Sequence, residues 1–321
     1  MTNNSSRLKN FSLSVVVPAY NESTNLIKFV EALRSTITAI TSRYEIIIIN
    51  DGSRDNTDEV GMELAKESGI RYLAFSRNFG KEAALSAGID YSRGDAVLLI
   101  DADFQHPMDK LSEMCALWQS GYDMVYGVIV DRGNESFLKR FGTRFFYSLM
   151  SAGTDVAIPQ NAGDFRWLDR KVVEALKTLP ERNRFMKGLY AWVGFKSVGL
   201  PFVPADRFSG VSSFKITSLI KLALSGITAF STLPLRLWTF IGSFISLVAI
   251  SYGIFVAFDT LINGNPVGGW PTITVALMLF SGVQLLSIGI LGEYIGRIFD
   301  EVKQRPLYLV AKDNDNSSLD S

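Results

Sequence analysis

The chain has 321 residues, enough for one full α/β domain and an appendage. Its 32 Lys plus Arg balance 32 Asp plus Glu, which excludes the basic excess of a general nucleic-acid binder. Cys115 is the only cysteine, so no internal disulfide exists and nothing points to an oxidising compartment.

Residues 1–10 are polar and read as an N-terminal tail. The apolar stretch after them is short and runs into Pro18, so no secretory signal is expected. Apolar runs then alternate with helical patterns. Strands are expected at Leu13–Val17, Glu45–Ile49, Arg71–Phe75, Ala96–Ile100 and Met124–Val128. Helices are expected over Ser23–Ile40, with Asn21 or Ser23 as cap, over Thr57–Lys66 and over Lys81–Tyr91. This alternation predicts a mostly parallel, doubly wound sheet with helices on both faces.

Ligands in such sheets bind beyond the carboxyl ends of the strands. Those ends are polar here: Pro18-Ala19-Tyr20-Asn21-Glu22, Asn50-Asp51-Gly52-Ser53, Ser76 to Lys81, and Asp101-Ala102-Asp103-Phe104-Gln105. Asp101 and Asp103 flank a small residue, and two carboxylates so close repel unless a cation lies between them. A hard divalent ion suits their oxygens and would also hold a substrate diphosphate. A lone D-x-D is a weak signal; its place at a strand end, with Asp51 ending another strand, strengthens it. No Gly-x-Gly-x-x-Gly follows the first strand and no Walker P-loop is present, which weakens dinucleotide and ATPase readings.

Further along, Phe137, Leu138, Phe141, Phe145 and Leu149 fall on one helical face, with Lys139, Arg140 and Arg144 around it. The pattern suits a helix lying among lipid headgroups, or one packed on the domain. Residues 214–227 are a second such candidate. Two charge-poor runs follow, 237–261 and 272–292, each long enough for a hydrocarbon core of roughly 30 Å. A pair of buried core helices is the plainer alternative. Basic residues flank the pair (Lys221 and Arg236 before, Arg297, Lys303 and Arg305 after), so both termini are expected in the cytoplasm. Asp313–Ser321 reads as a frayed polar tail.

Several of these segments carry a resemblance. Residues 17–22, 50–55, 77–82 and 101–105 resemble the inverting glycosyltransferases with the GT-A fold. Gly163-Asp164-Phe165-Arg166, Glu181 to Gly188 and Gly292 to Arg297 resemble the polyprenyl-phosphate glycosyltransferases, above all the bactoprenol glucosyltransferases of O-antigen modification. The likeness runs from about Leu13 to Val310. It implies a Rossmann-like GT-A domain over 11–210, an interfacial region over 211–234, two transmembrane helices within 235–297 and a cytoplasmic tail over 298–321.

The resemblance assigns the donor nucleotide sugar to Pro18, Tyr20, Glu22, Asp51, Lys81, Asp101, Ala102 and Asp103, and Mg2+ or Mn2+ to Asp101, Asp103 and Gln105. Asp103 and Asp164 become the catalytic carboxylates, and Arg207 and Arg166 the grip on an acceptor phosphate. Asn50, His106 and Ser213 depart from residues common in such chains (Asp, Asp and Lys). His106 is read as a supporting or surface residue rather than a ligand. The implied reaction moves a hexose, glucose from UDP-glucose first, onto undecaprenyl or other polyprenyl phosphate at the inner membrane. Mannose or an aminoarabinose derivative, and a processive polysaccharide synthase, are the alternatives; self-association stays open. A phosphate oxyanion is already a nucleophile at pH 7, so Asp164 is either a base or an orienting group. Lys81 either meets the diphosphate or is an ordinary exposed lysine, and Arg166 either meets the acceptor or forms a structural ion pair.

Overall fold

The computed structural model describes residues 10–130, 162–182, 184–204 and 269–319, with isolated positions at 159 and between 240 and 262. Its centre is four parallel strands: β1 (Leu13–Ala19), β2 (Tyr44–Asn50), β3 (Ile70–Phe75) and β4 (Ala96–Leu99). Four more are β5 (Met124–Ile129), β6 (Ala162–Asp169), β7 (Ser197–Phe202) and β8 (Val310–Asn316), giving the order β7-β5-β6-β4-β1-β2-β3-β8. Only β6 and β8 run against the rest. The expected mostly parallel sheet is therefore present. Its first five strands match the apolar runs to within a few residues.

Burial on both faces explains the continuous apolar runs. Alternate residues of one strand enter opposite cores. Val15, Val17, Ile46, Ile48 and Leu98 pack with α1 (Leu26–Thr38), α2 (Thr57–Leu64) and α4 (Lys110–Gln119). Val16, Ile47, Ile49, Val97 and Leu99 pack with α3 (Lys81–Tyr91), α5 (Arg170–Thr178) and α6 (Met186–Trp192). The first helix starts later than expected, after Asn25, without a side-chain cap.

Two expectations change. Within the stretch expected to fray, residues 313–316 lie in a strand, and Val310–Asn316 join the sheet of the catalytic domain. β8 pairs antiparallel with β3 and covers that edge of the sheet. Charge holds it there: Arg71, nearly buried, donates Nε and Nη2 to the two carboxylate oxygens of Asp313 at 3.0 and 2.8 Å, and its Nη1 lies 3.2 Å from Asp315. Arg93 adds a contact to Asp315 at 2.6 Å. A polar strand thus joins the sheet through ion pairs rather than through apolar burial.

The two expected membrane spans also lack support in the described residues, where no helix is long and apolar enough to cross a membrane. Most of 237–261 lies outside those residues, as do 137–150 and 214–227. Residues 272–292 fall in α7 (Trp270–Val302), which continues beyond the charge-free run through Asp300 and Glu301. Large apolar side chains such as Ile273, Leu277, Leu285, Ile288 and Ile295 stand exposed along it.

Arg71→Leu should lower stability by about 2 kcal/mol, because it leaves two carboxylates without their partner. The double variant Arg71→Leu/Asp313→Leu should recover part of that loss in thermal unfolding. A double variant no better than the single one would contradict an ionic hold on β8.

Candidate functional site

Four strand ends are tied to one another by short polar bonds. After β1, Asn21 N donates to Ser53 Oγ at 3.0 Å, and Arg54 N donates back to Asn21 Oδ1 at 2.9 Å. Glu22 N donates to Thr57 Oγ1 at 2.9 Å and Ser23 N to Asp55 Oδ2 at 3.2 Å. The loops after β1 and β2 therefore act as one unit. Asp51 fixes the third loop, accepting from Phe79 N at 2.7 Å and Gly80 N at 2.9 Å. Burial pushes the Asp51 carboxyl up, against the pull of those N–H groups and Arg77. Gly52 permits this approach. It has φ +63°, and a Cβ there would lie 2.4 Å from the Arg77 carbonyl carbon.

The fourth strand end meets a strand from the other direction. β4 and β6 are antiparallel with Leu99 opposite Arg166, and the same register carried on brings Asp101 beside Asp164. Lys81, the first residue of α3, closes the group. Its Nζ lies 2.7 Å from Asp101 Oδ2 and 3.1 Å from Asp164 Oδ2. Burial alone would raise the Asp164 carboxyl; the charges of Lys81, Lys187 and Arg166 and the Lys81 hydrogen bond bring it down to about 2. Its buried Oδ1 has no hydrogen-bond partner among the described residues.

Pro18 lies on β1 opposite Ile49, and Tyr20, just after β1, is 43% exposed. Glu22 accepts from Asn25 Nδ2 at 3.1 Å. Ala102 is buried. Asp103 Oδ1 accepts from Gln105 N at 3.1 Å, which shapes the turn after β4. Phe104 takes φ 61° there and packs edge-on to Phe29 at 5.3 Å. His106 turns inward. Its Nδ1 accepts from Asp101 N at 3.3 Å and its ring stacks on Phe165 at 4.8 Å, so it supports the acidic turn from behind. Arg207 lies outside the described residues.

Arg166 takes the structural side of the two roles expected for it. It is 1% exposed, donates Nε to the Gly163 carbonyl at 3.1 Å, and lies over the Tyr190 and Tyr126 rings at 4.3 and 5.3 Å. A strand alternates sides, but i and i+2 share one; here that puts Arg166 behind Asp164 within the fold, not on an open acceptor surface.

Sequence reasoning gave no role to Glu82. Its Oε2 accepts from Met186 N at 3.0 Å, which docks the start of α6 against α3. Burial and the Asp164 charge push its carboxyl up to about 7, against the Met186 N–H and the charges of Lys81 and Lys187. Glu301, at the end of α7, accepts from Arg182 N at 2.9 Å in the same segment. The signal in the sequence was the Glu at the second position of a helix whose first residue was already a candidate.

The arrangement offers hard oxygen ligands beside the Lys81 ammonium at the ends of the central strands, a chemistry suited to a phosphorylated ligand. The profile of Glycosyl transferase family 2 matches residues 14–177. The chain belongs to that family. This family 2 glycosyltransferase also matches the GtrB C-terminal hairpin over residues 233–298. It is 46% identical over 300 residues to an uncharacterized glycosyltransferase of Synechocystis sp., covering 93% of this chain and 94% of that one. It is 45% identical to the SfII prophage-derived bactoprenol glucosyl transferase of Shigella flexneri, covering 94% and 97%. A prophage bactoprenol glucosyl transferase homolog of Escherichia coli K12 is 42% identical, covering 94% and 98%. Among solved structures, glucosyl-3-phosphoglycerate synthase from Mycobacterium tuberculosis with Mn2+, UDP and phosphoglyceric acid gives 18% identity and a TM-score of 0.49, covering 70% and 79%. The family match and the named relatives support the GT-A reading of the fold and the transferase class.

Glu82 generates a pH prediction. An unfolded chain releases this proton near 4.5, whereas the folded one keeps it up to about 7. Between those values the unfolded state binds fewer protons, so stability falls as pH rises. Glu82→Gln removes that slope. Its unfolding midpoint should gain on the wild type between pH 5 and pH 8, and a constant difference across that range would contradict the assignment.

Proposed function

We propose that this glycosyltransferase moves a glucosyl group from UDP-glucose to undecaprenyl or another polyprenyl phosphate, with inversion at the anomeric carbon. The observation that carries the proposal is the meeting of Asp101, Asp164 and Lys81 where four strand ends converge, in a chain about 45% identical to bactoprenol glucosyl transferases.

The donor side draws on the joined loops: Pro18, Tyr20, Glu22 and Asp51 for the uridine, and Lys81 and Ala102 beside the diphosphate. No group of three or more His, Cys, Asp or Glu forms a metal cage among the described residues. Asp101 and Asp103 with Gln105 nonetheless supply hard oxygens of the kind Mg2+ or Mn2+ takes, and such ions complete their shell with substrate phosphates. The unpartnered Oδ1 of Asp164 adds an acceptor nearby. A bound divalent ion supplies positive charge opposite the departing diphosphate.

The acceptor phosphate oxygen bonds to the anomeric carbon as the bond to the UDP oxygen breaks. No proton has to be removed from that nucleophile. Asp164 therefore acts as an orienting group for sugar or acceptor, held in place by Lys81, and its charge favours the positive anomeric centre. Arg207 takes the acceptor phosphate. Such a phosphate stays at the bilayer surface. We place the enzyme at the inner membrane, attached through the 233–298 hairpin, with the catalytic domain on the cytoplasmic side. The charge-free run 272–292 and the flanking basic residues support that attachment.

Membranes carrying the protein, given UDP-[14C]glucose, undecaprenyl phosphate and Mg2+, should form a labelled lipid, and EDTA should stop its formation. Asp103→Ala should lower the rate by roughly a hundredfold or more. No labelled lipid from UDP-glucose, or labelling indifferent to Asp103, would defeat the proposal.

A further inference from the structure

The C-terminal strand reaches the donor loops through a line of side chains. Lys312, on β8 opposite Ala74, donates Nζ to Asp58 Oδ2 at 2.5 Å. Tyr72 OH donates to the other oxygen, Asp58 Oδ1, at 2.8 Å. Asn50 Nδ2 donates to the Tyr72 oxygen at 2.8 Å. Ser53 N donates to Asn50 Oδ1 at 2.9 Å, and Ser53 Oγ accepts from Asn21 N at 3.0 Å.

The direction of this line is fixed by chemistry. An ionised carboxylate only accepts, so Asp58 accepts the Tyr72 O–H, which leaves the phenol oxygen free to accept in turn. Only the amide nitrogen of residue 50 can then face Tyr72, which turns its carbonyl toward Ser53. An aspartate at 50 lacks that donor. Asn50 and Tyr72 are both buried, 2% and 0% exposed, so a broken link leaves an unsatisfied polar group. Gly61 of α2 holds the Tyr72 ring in place. A Cβ there would lie 2.2 Å from Tyr72 Cε2.

We propose that Lys312 is a positioning residue for the donor nucleotide: through Asp58, Tyr72 and Asn50 it sets the backbone of the loop 50–53. The inference rests on the reading of that loop as part of the donor site. It also ties the segment that follows the 233–298 hairpin to donor binding. Lys312 is half-exposed and far along the chain from the catalytic carboxylates, so its loss leaves the sheet intact while releasing Asp58.

The test uses the full-length protein, with UDP binding measured in the presence of Mn2+ alongside transfer kinetics. Lys312→Met should weaken UDP binding about threefold, the size of one half-exposed ion pair. Tyr72→Phe should weaken it about tenfold. Donor KM should rise by the same factors, while kcat and acceptor KM hold. Lys312→Arg should restore binding. Adding Lys312→Met to Tyr72→Phe should cost nothing more, since both break one line. Lys312→Met that binds UDP as the wild type does, or that raises donor and acceptor KM alike with a lowered unfolding midpoint, would overturn the relay alone. A wild type that binds no UDP would overturn the donor-site reading and the relay with it.

Discussion

The ammonium of Lys81 between Asp101 and Asp164 is the contact on which the site depends. Two carboxylates, one just past β4 and one within its antiparallel neighbour β6, lie side by side, and without a cation their repulsion would spread the strand ends. Lys81 supplies that charge from the first turn of a helix whose entry loop is itself clamped by Asp51. Asp101 follows β4, Asp164 lies in β6 and Lys81 opens α3, so the contact measures whether all three elements are in register. A cation-bound site for a diphosphate needs that preorganisation, because groups already in place need no rearrangement during the reaction.

The surrounding loops extend the same logic. Each is held by side-chain-to-backbone bonds from the next: Asn21 with Ser53 and Arg54, Asp55 with Ser23, Asp51 with Phe79 and Gly80. Small polar residues at strand ends serve here as fasteners as much as ligands. His106 and Arg166 show how a charged or titratable side chain near a site can belong to its support. One accepts from the Asp101 backbone, and the other fills the space behind Asp164 between two tyrosine rings.

Much of this was legible in the sequence. Short apolar runs located β1 to β5, because strands buried on both faces leave a continuous signal. The polar strand ends located the site. Other features were hidden for physical reasons. β8 is a polar edge strand, and nothing in Val310–Asn316 alternates strongly enough to mark it; its pairing depends on Arg71 and Arg93, more than 200 residues earlier. Arg166 carries a charge, which predicts exposure, yet its guanidinium is enclosed by aromatic faces. Glu82 has meaning only once α3 and α6 are side by side.

The central claim is that Asp101 and Asp103 hold a divalent ion together with the donor diphosphate. Mn2+ paramagnetic resonance on the purified protein reads this directly. The account predicts a bound Mn2+ signal that strengthens on adding UDP and is lost in Asp101→Asn/Asp103→Asn. A Mn2+ signal unchanged in that variant, or no response to UDP in the wild type, would contradict it.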